Sequence, residues 1–181
     1  MEPSILVAYA TKHGSTRAIA DAVTAGLRER GLAADSLPAA QVDDVGTYSG
    51  VVIGGALYMG RWHRDAVDFV RRHSSALSLV PVAVFAMGPR TLAPAEVEQS
   101  RAQLARALAR TGALAPFAVA IFGGVIDPKK LRFPLSRMPA SDARDWDAIQ
   151  RWIDELAATF GYGKPASETR DPRSEPQQTQ R

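Results

Sequence analysis

A chain of 181 residues that is 46% hydrophobic and 23% charged fits one globular domain with room for a tail, and excludes disorder or a fibrous class for most of its length. It contains no cysteine, which excludes disulfides, thiolate metal sites, cysteine nucleophiles and CxxC redox chemistry, so any redox function must use a bound cofactor. A net charge of +3 is compatible with anionic ligands or an anionic partner surface, and is too small and too interspersed to indicate nucleic-acid binding.

Short apolar runs alternate with longer amphipathic segments, the pattern of repeated strand–helix units. Residues 1–4 run directly into the apolar run Ile5–Tyr9, without a basic region or cleavable apolar segment, so a soluble cytoplasmic protein is expected. That run reads as a fully buried parallel strand. A Gly/Ser/Thr turn follows, and then Ala18, Ile19, Ala22, Val23 and Leu27 recur at helical spacing up to a stop at Gly31. A weak second strand is predicted over 33–37 and a β-branched third over 51–56. A helix over 65–73 buries Ala66, Phe69 and Val70. The fourth strand covers 80–86, with Pro81 tolerable near its start. An Ala- and Leu-rich helix runs over 94–110, with Pro94 in its first turn. The fifth strand covers 117–122. Ser141-Asp142 is read as the cap of a last helix carrying Trp146, Ile149, Trp152, Ile153, Leu156 and Phe160 as its apolar stripe. The domain is predicted over 1–162, and the Pro-, Ser-, Glu-, Gln- and Arg-rich segment 163–181 as a disordered tail. Right-handed crossovers then give an α/β three-layer doubly wound sandwich, with a five-stranded parallel sheet of order 2-1-3-4-5. Its ligand site lies at the carboxyl ends of the first and third strands.

Thr11-Lys12-His13-Gly14-Ser15-Thr16-Arg17 joins the first strand to the first helix. Unpaired N–H groups and a partial positive charge at a helix start stabilise an anion there. Gly14 lets the backbone curl close to a ligand, Thr11, Ser15 and Thr16 offer hydroxyls, and Lys12 or Arg17 adds positive charge. The loop lacks the glycine spacing of dinucleotide sites and the Gly-Lys of nucleotide triphosphatases, and suits a phosphate monoester. The plainer alternative is that Ser15 or Thr16 only caps the helix, and that His13 is simply solvated.

After the third strand, Ala56-Leu57-Tyr58-Met59-Gly60, with Trp62 and His63 beyond, makes an apolar, aromatic ledge suited to a planar ring. Met87-Gly88-Pro89-Arg90 supplies a second wall, and Gly123-Gly124 keeps the space between the loops open. Taken singly, Leu57, Met59 and Trp62 could equally be loop anchors. Three such loops at successive strand ends favour a cleft.

The run Ile5–Arg17 resembles the opening of the flavodoxin family, whose phosphate loop reads T/S-x-T-G-x-T. Thr11, Gly14 and Thr16 fall on the pattern, and His13 stands in place of the middle threonine. Gly55–Gly60 with His63, Phe122-Gly123-Gly124 with Asp127, and Asp145-Trp146 are similar to the group of that family that includes menaquinone-dependent protoporphyrinogen oxidases. The similarity covers roughly residues 4–160. It implies flavin mononucleotide (FMN) as cofactor, bound by Thr11, Lys12, His13, Gly14, Ser15, Thr16, Ala56, Leu57, Tyr58, Met59, Gly60, Met87, Gly88, Pro89, Arg90, Gly123 and Gly124. The chain departs from those oxidases after the fifth strand, where the stretch 128–138 is short and broken by prolines, with four cations among Leu, Phe and Met. That stretch is either a solvated loop or a peripheral contact with an anionic substrate or membrane.

Three functions are consistent with these observations. The first is an FMN-dependent oxidoreductase passing electrons from an organic substrate to a quinone or similar acceptor, with Tyr58, His63 and Arg90 as candidates for assisting proton movement. The second is an electron carrier between proteins, against which the basic charge counts. The third is a cofactor-free regulatory module.

Overall fold

The computed structural model describes residues 4–112, 114–126, 129 and 140–161. In chain order these form β1 (Ser4–Ala10), α1 (Ser15–Glu29), β2 (Ala33–Pro38), a 3-10 turn (Ala39–Gln41), β3 (Gly50–Tyr58), β4 (Arg61–Trp62), α2 (Arg64–Arg72), α3 (Ser74–Leu77), β5 (Val82–Met87), α4 (Pro94–Ala109), β6 (Ala118–Phe122), β7 (Val125–Ile126), β8 (Ser141–Asp142) and α5 (Trp146–Gly161). The principal sheet runs β2-β1-β3-β5-β6 with every one of these pairings parallel, which is the expected order 2-1-3-4-5. The expected three-layer α/β sandwich is therefore borne out.

Alternation along the strands sorts the core into two layers. Ile5, Val7, Val52, Phe85 and Phe122 face α1 and α5, meeting Ile19, Val23, Leu27, Ile149, Ile153 and Leu156. Leu6, Ala8, Val51, Ile53 and Val84 face α2 and α4, meeting Phe69, Val70 and Leu104. Strands covered on both faces bury every side chain, which is why they read as unbroken apolar runs. Each large side chain so buried contributes about 1.5–3 kcal/mol. α1 ends in a Schellman motif: Leu32 N–H donates to the Leu27 carbonyl (3.1 Å) and Gly31 N–H to that of Arg28 (2.9 Å), beside the predicted stop.

Two features depart from expectation. Ser141-Asp142 does not cap α5; it forms β8, antiparallel to β7, with Val125 opposite Asp142 and Ile126 opposite Ser141. Asp145 lies next to the helix and does the capping, its Oδ1 accepting from Ala148 N–H at 2.9 Å. A carboxylate three residues before the bonded amide is the ordinary capping geometry, and Asp142 is too far back to achieve it. In addition, β3 extends to Tyr58 and folds back as β4, pairing Leu57 with Trp62. The stretch 128–138, apart from Lys129, and the segment 163–181 lie outside the described residues. Among the described residues, no helix is long and apolar enough to cross a membrane.

Candidate functional site

The β1–α1 loop emerges at the carboxyl end of β1, which lies between its partners β2 and β3. Gly14 precedes α1 with φ 91°, ψ −10°, a left-handed backbone that a Cβ would strain. No side chain caps α1, so neither Ser15 nor Thr16 serves as its cap. The first turn carries no acid, and Arg17 within it pairs with Asp21 at 3.5 Å. The helix start therefore keeps its partial positive charge uncompensated.

Thr16 is wholly buried, and its Oγ1 has no hydrogen-bond partner among the described residues. A buried hydroxyl without a partner is costly, and its presence in the first turn of an uncapped helix fits an anion as the missing acceptor. Thr11 Oγ1 accepts from Gly14 N–H at 2.9 Å, bracing the loop across its width. One amide of the loop is thus held by the chain's own side chain. Lys12 is exposed, Thr11 and Ser15 are half-buried, and the His13 ring meets the Tyr58 ring edge-on at 6.1 Å. That contact joins the loop to the ledge after β3.

The ledge itself is a hairpin. Met59 (φ 46°) and Gly60 (φ 77°) both take positive φ, as a two-residue turn of the I′ type requires. Met59 is fully exposed at the tip, and it is the single non-glycine residue with positive φ among the described residues. Leu57, Met59, Gly60, Gly88, Pro89 and Arg90 come together around a cavity of about 300 Å³. The loops after β5 and β6 are laced together: Gly88 N–H donates to the Phe122 carbonyl (3.1 Å) and Gly124 N–H to that of Pro89 (2.8 Å). Ala143 N–H donates to the Gly124 carbonyl at 3.1 Å, so the β8 segment backs the last loop. Gly123 is in close contact there; a Cβ on it would lie 1.9 Å from the Ala143 carbonyl oxygen.

Other singled-out residues have structural tasks. Met87 and Ala56 belong to the core against α1 and α5, and Trp62, 3% exposed, is a core anchor on the opposite face. His63 caps α2: its Nδ1 accepts from Asp65 N–H at 3.2 Å, which leaves the neutral ring's proton on Nε2. Arg90 is exposed at the cavity. Tyr58 remains protonated well into the alkaline range, because burial pushes its phenol above the ordinary 10.0 and leaves its O–H a donor.

Sequence reasoning missed the α4 wall of this cavity, made by Glu96, Gln99, Ser100 and Gln103. Their spacing at i, i+3, i+4 and i+7 is a polar helical stripe, and it was the available signal in a helix read for its Ala and Leu content. Glu96 also accepts from Thr91 N–H at 3.1 Å, fixing the loop that leads into α4.

A family model for the flavodoxin domain matches residues 6–138. Protoporphyrinogen IX dehydrogenase [quinone] of Escherichia coli (strain K12) is 30% identical over 84 residues, 45% of this chain and 46% of that protein. The chain thus spans about half the length of the curated relatives it matches. Among solved structures, the Streptococcus pneumoniae TIGR4 flavodoxin is similar with a TM-score of 0.55 and 20% identity, over 86% of this chain and 99% of that one. Rubredoxin oxygen:oxidoreductase of Desulfovibrio gigas reaches 0.59 at 9% identity, over 89% of this chain and 37% of that one. At these identities the solved structures show the fold. The family points to FMN as cofactor, in keeping with an uncapped helix start and an unpartnered buried hydroxyl. With the fold, the phosphate-type loop and the family match in agreement, the chain belongs to the flavodoxin-domain family.

Proposed function

We propose that this protein is an FMN-dependent oxidoreductase that passes electrons from an organic substrate to a quinone or similar acceptor. The observation that carries the cofactor assignment is the buried Thr16 hydroxyl, lacking an acceptor in the first turn of an uncapped helix. In this reading the 11–16 loop holds the phosphate, with Thr11, Ser15 and Thr16 contributing hydroxyls and Gly14 permitting close approach. Bound FMN supplies the redox chemistry, accepting and releasing electrons at its ring.

The chain's own residues bind, orient and shield. Residues 57–60, 88–90 and 123–124 flank the ring, with Tyr58 offering a protonated phenol. Arg90, exposed at the cavity, offers positive charge to an anionic group of substrate or ring. His63 positions the start of α2 through its cap. The partial likeness to a quinone-linked dehydrogenase supports transfer to a quinone. The net charge of +3 supports this reading over a carrier steered by an acidic surface of its own.

The test is a visible spectrum followed by acceptor kinetics. Purified protein, supplied with FMN if needed, is expected to be yellow and to release FMN on denaturation. After anaerobic photoreduction, menadione is expected to reoxidise it faster than an acceptor protein such as cytochrome c does. Colourless protein that does not bind added FMN would overturn the cofactor assignment. Yellow protein that reduces cytochrome c but ignores menadione would leave the cofactor and overturn the quinone reading.

A further inference from the structure

A second cavity of about 490 Å³ lies on the other side of the β3–β4 hairpin, between β4, α2 and α4. Its size falls within the roughly 300–1,000 Å³ of small-molecule sites. Arg61, Arg71, Arg106 and Arg110 all line it, above apolar surface from Val67 and Ala107, and no carboxylate does so. Four like charges around one hollow repel each other, and a surface without a use for them ordinarily intersperses acids. On the two helices that flank it, Asp68 pairs with Arg64 at 3.2 Å and Glu98 with Arg101 at 4.0 Å.

Two of the guanidinium groups are held in place by backbone. Arg71 Nη2 donates to the Arg110 carbonyl at 3.4 Å, and Arg106 Nε to the Ala102 carbonyl at 3.2 Å. Each keeps further N–H donors for a ligand, since a guanidinium carries five. Among the described residues, none of the four arginines has an ion-pair partner. Planar guanidinium forks match carboxylates in pairs, and the aliphatic floor matches an apolar body.

We propose that this cavity binds a compact organic anion, an apolar body bearing two or more carboxylates, at a site separate from the phosphate loop. The arginines supply affinity through charge-assisted hydrogen bonds, and the aliphatic contact with Val67 and Ala107 selects against small hydrated anions. Gly60 and Gln103 border both cavities, so a ligand here sits directly beside the ledge after β3.

Calorimetric titration of the full chain with benzene-1,3,5-tricarboxylate tests this, with and without saturating FMN. Saturable binding is expected in both conditions, and none for the neutral trimethyl ester. Arg106→Gln combined with Arg110→Gln should weaken binding by at least roughly tenfold. Arg71→Gln alone should weaken it measurably, and the distant pair Arg28→Gln with Arg151→Gln should leave it unchanged. Circular dichroism checks that every variant is folded. Loss of binding when FMN is present would move the ligand to the phosphate loop and overturn the proposal. Equal binding of pyrophosphate, equal loss in the distant pair, or no binding at all would overturn it too. Because the titration also runs without FMN, its outcome is independent of the cofactor reading.

Discussion

Thr16→Val separates a phosphate-holding hydroxyl from a merely buried one, because the two effects have opposite signs. The side chain is wholly buried and its Oγ1 lacks a partner, so FMN-free protein bears the desolvation cost of that hydroxyl. Such a group costs about 1–3 kcal/mol. Valine keeps the β-branched shape and nearly the same helix propensity, replacing only the oxygen by a methyl. FMN-free Thr16→Val should therefore gain about 1 kcal/mol in urea unfolding, at the lower end of that cost. With FMN, the same change removes one charge-assisted hydrogen bond, worth about 1.5–3 kcal/mol, so the dissociation constant should rise about 10- to 150-fold. Titration of FMN by quenching of its fluorescence reads this directly. Thr16→Ser retains the hydroxyl and should keep most of the affinity. If Thr16→Val gains stability but binds FMN within about twofold of the parent, the hydroxyl does not face the phosphate and the loop assignment is refuted.

Gly14→Ala places a Cβ at φ 91° with no atom within 4 Å, so its effect is backbone strain rather than a clash. We expect about 1–2 kcal/mol lost from the FMN-free protein and roughly tenfold weaker FMN binding as the loop turns its amides; a stability loss at unchanged FMN affinity would remove the loop from the site. Gly123→Ala should cost about 1–3 kcal/mol in urea unfolding, because its Cβ would meet the Ala143 carbonyl at 1.9 Å; a neutral result would contradict the seating of β8 behind the last loop. The side-chain hydrogen bond from Arg144 is the chief cause holding the Asp142 carboxyl below its ordinary 3.8. A depressed folded-state pKa gives stability that is present above 3.8 and lost as pH falls through the folded value. Asp142→Asn should therefore flatten the acid limb of the stability profile, read as thermal midpoint against pH; an unchanged limb would assign acid sensitivity to other carboxylates.

The main strands were legible because a parallel sheet covered on both faces turns burial into unbroken apolar runs, as in Leu6–Ala8 and Val51–Ile53. α1 and its stop at Gly31 were legible for the same local reason, since periodicity and the cap lie within one segment. What escaped was non-local or atypical. β7 and β8 pair across a span containing residues 127–140, and two residues per strand leave no alternation to detect. The β3–β4 turn uses Met59-Gly60, where a hairpin signal would be Asn-Gly or Asp-Gly, and a fully exposed methionine at positive φ is not predicted by propensity. For Trp62 the sequence left ledge and loop anchor equally open, and for Met87 it favoured a ligand wall; tertiary packing, which no local signal reports, draws the two into opposite cores.

The two core layers also explain why the candidate site sits where it does. Side chains up to Tyr9 and Ala10 of β1 and Gly55 and Ala56 of β3 are committed to packing, so variation is free to begin only where those strands end. At that edge the hairpin, which Trp62 also anchors in the core, the laced β5 and β6 loops and the β8 backing are fixed by backbone hydrogen bonds. The walls can therefore hold their shape while presenting polar atoms, which an apolar core cannot do. The His13–Tyr58 ring contact spans from the phosphate-type loop to the hairpin, so the end that would grip an anion and the ledge that would carry a ring are physically joined. In this chain the residue that departs from the family's usual threonine is the one making that connection.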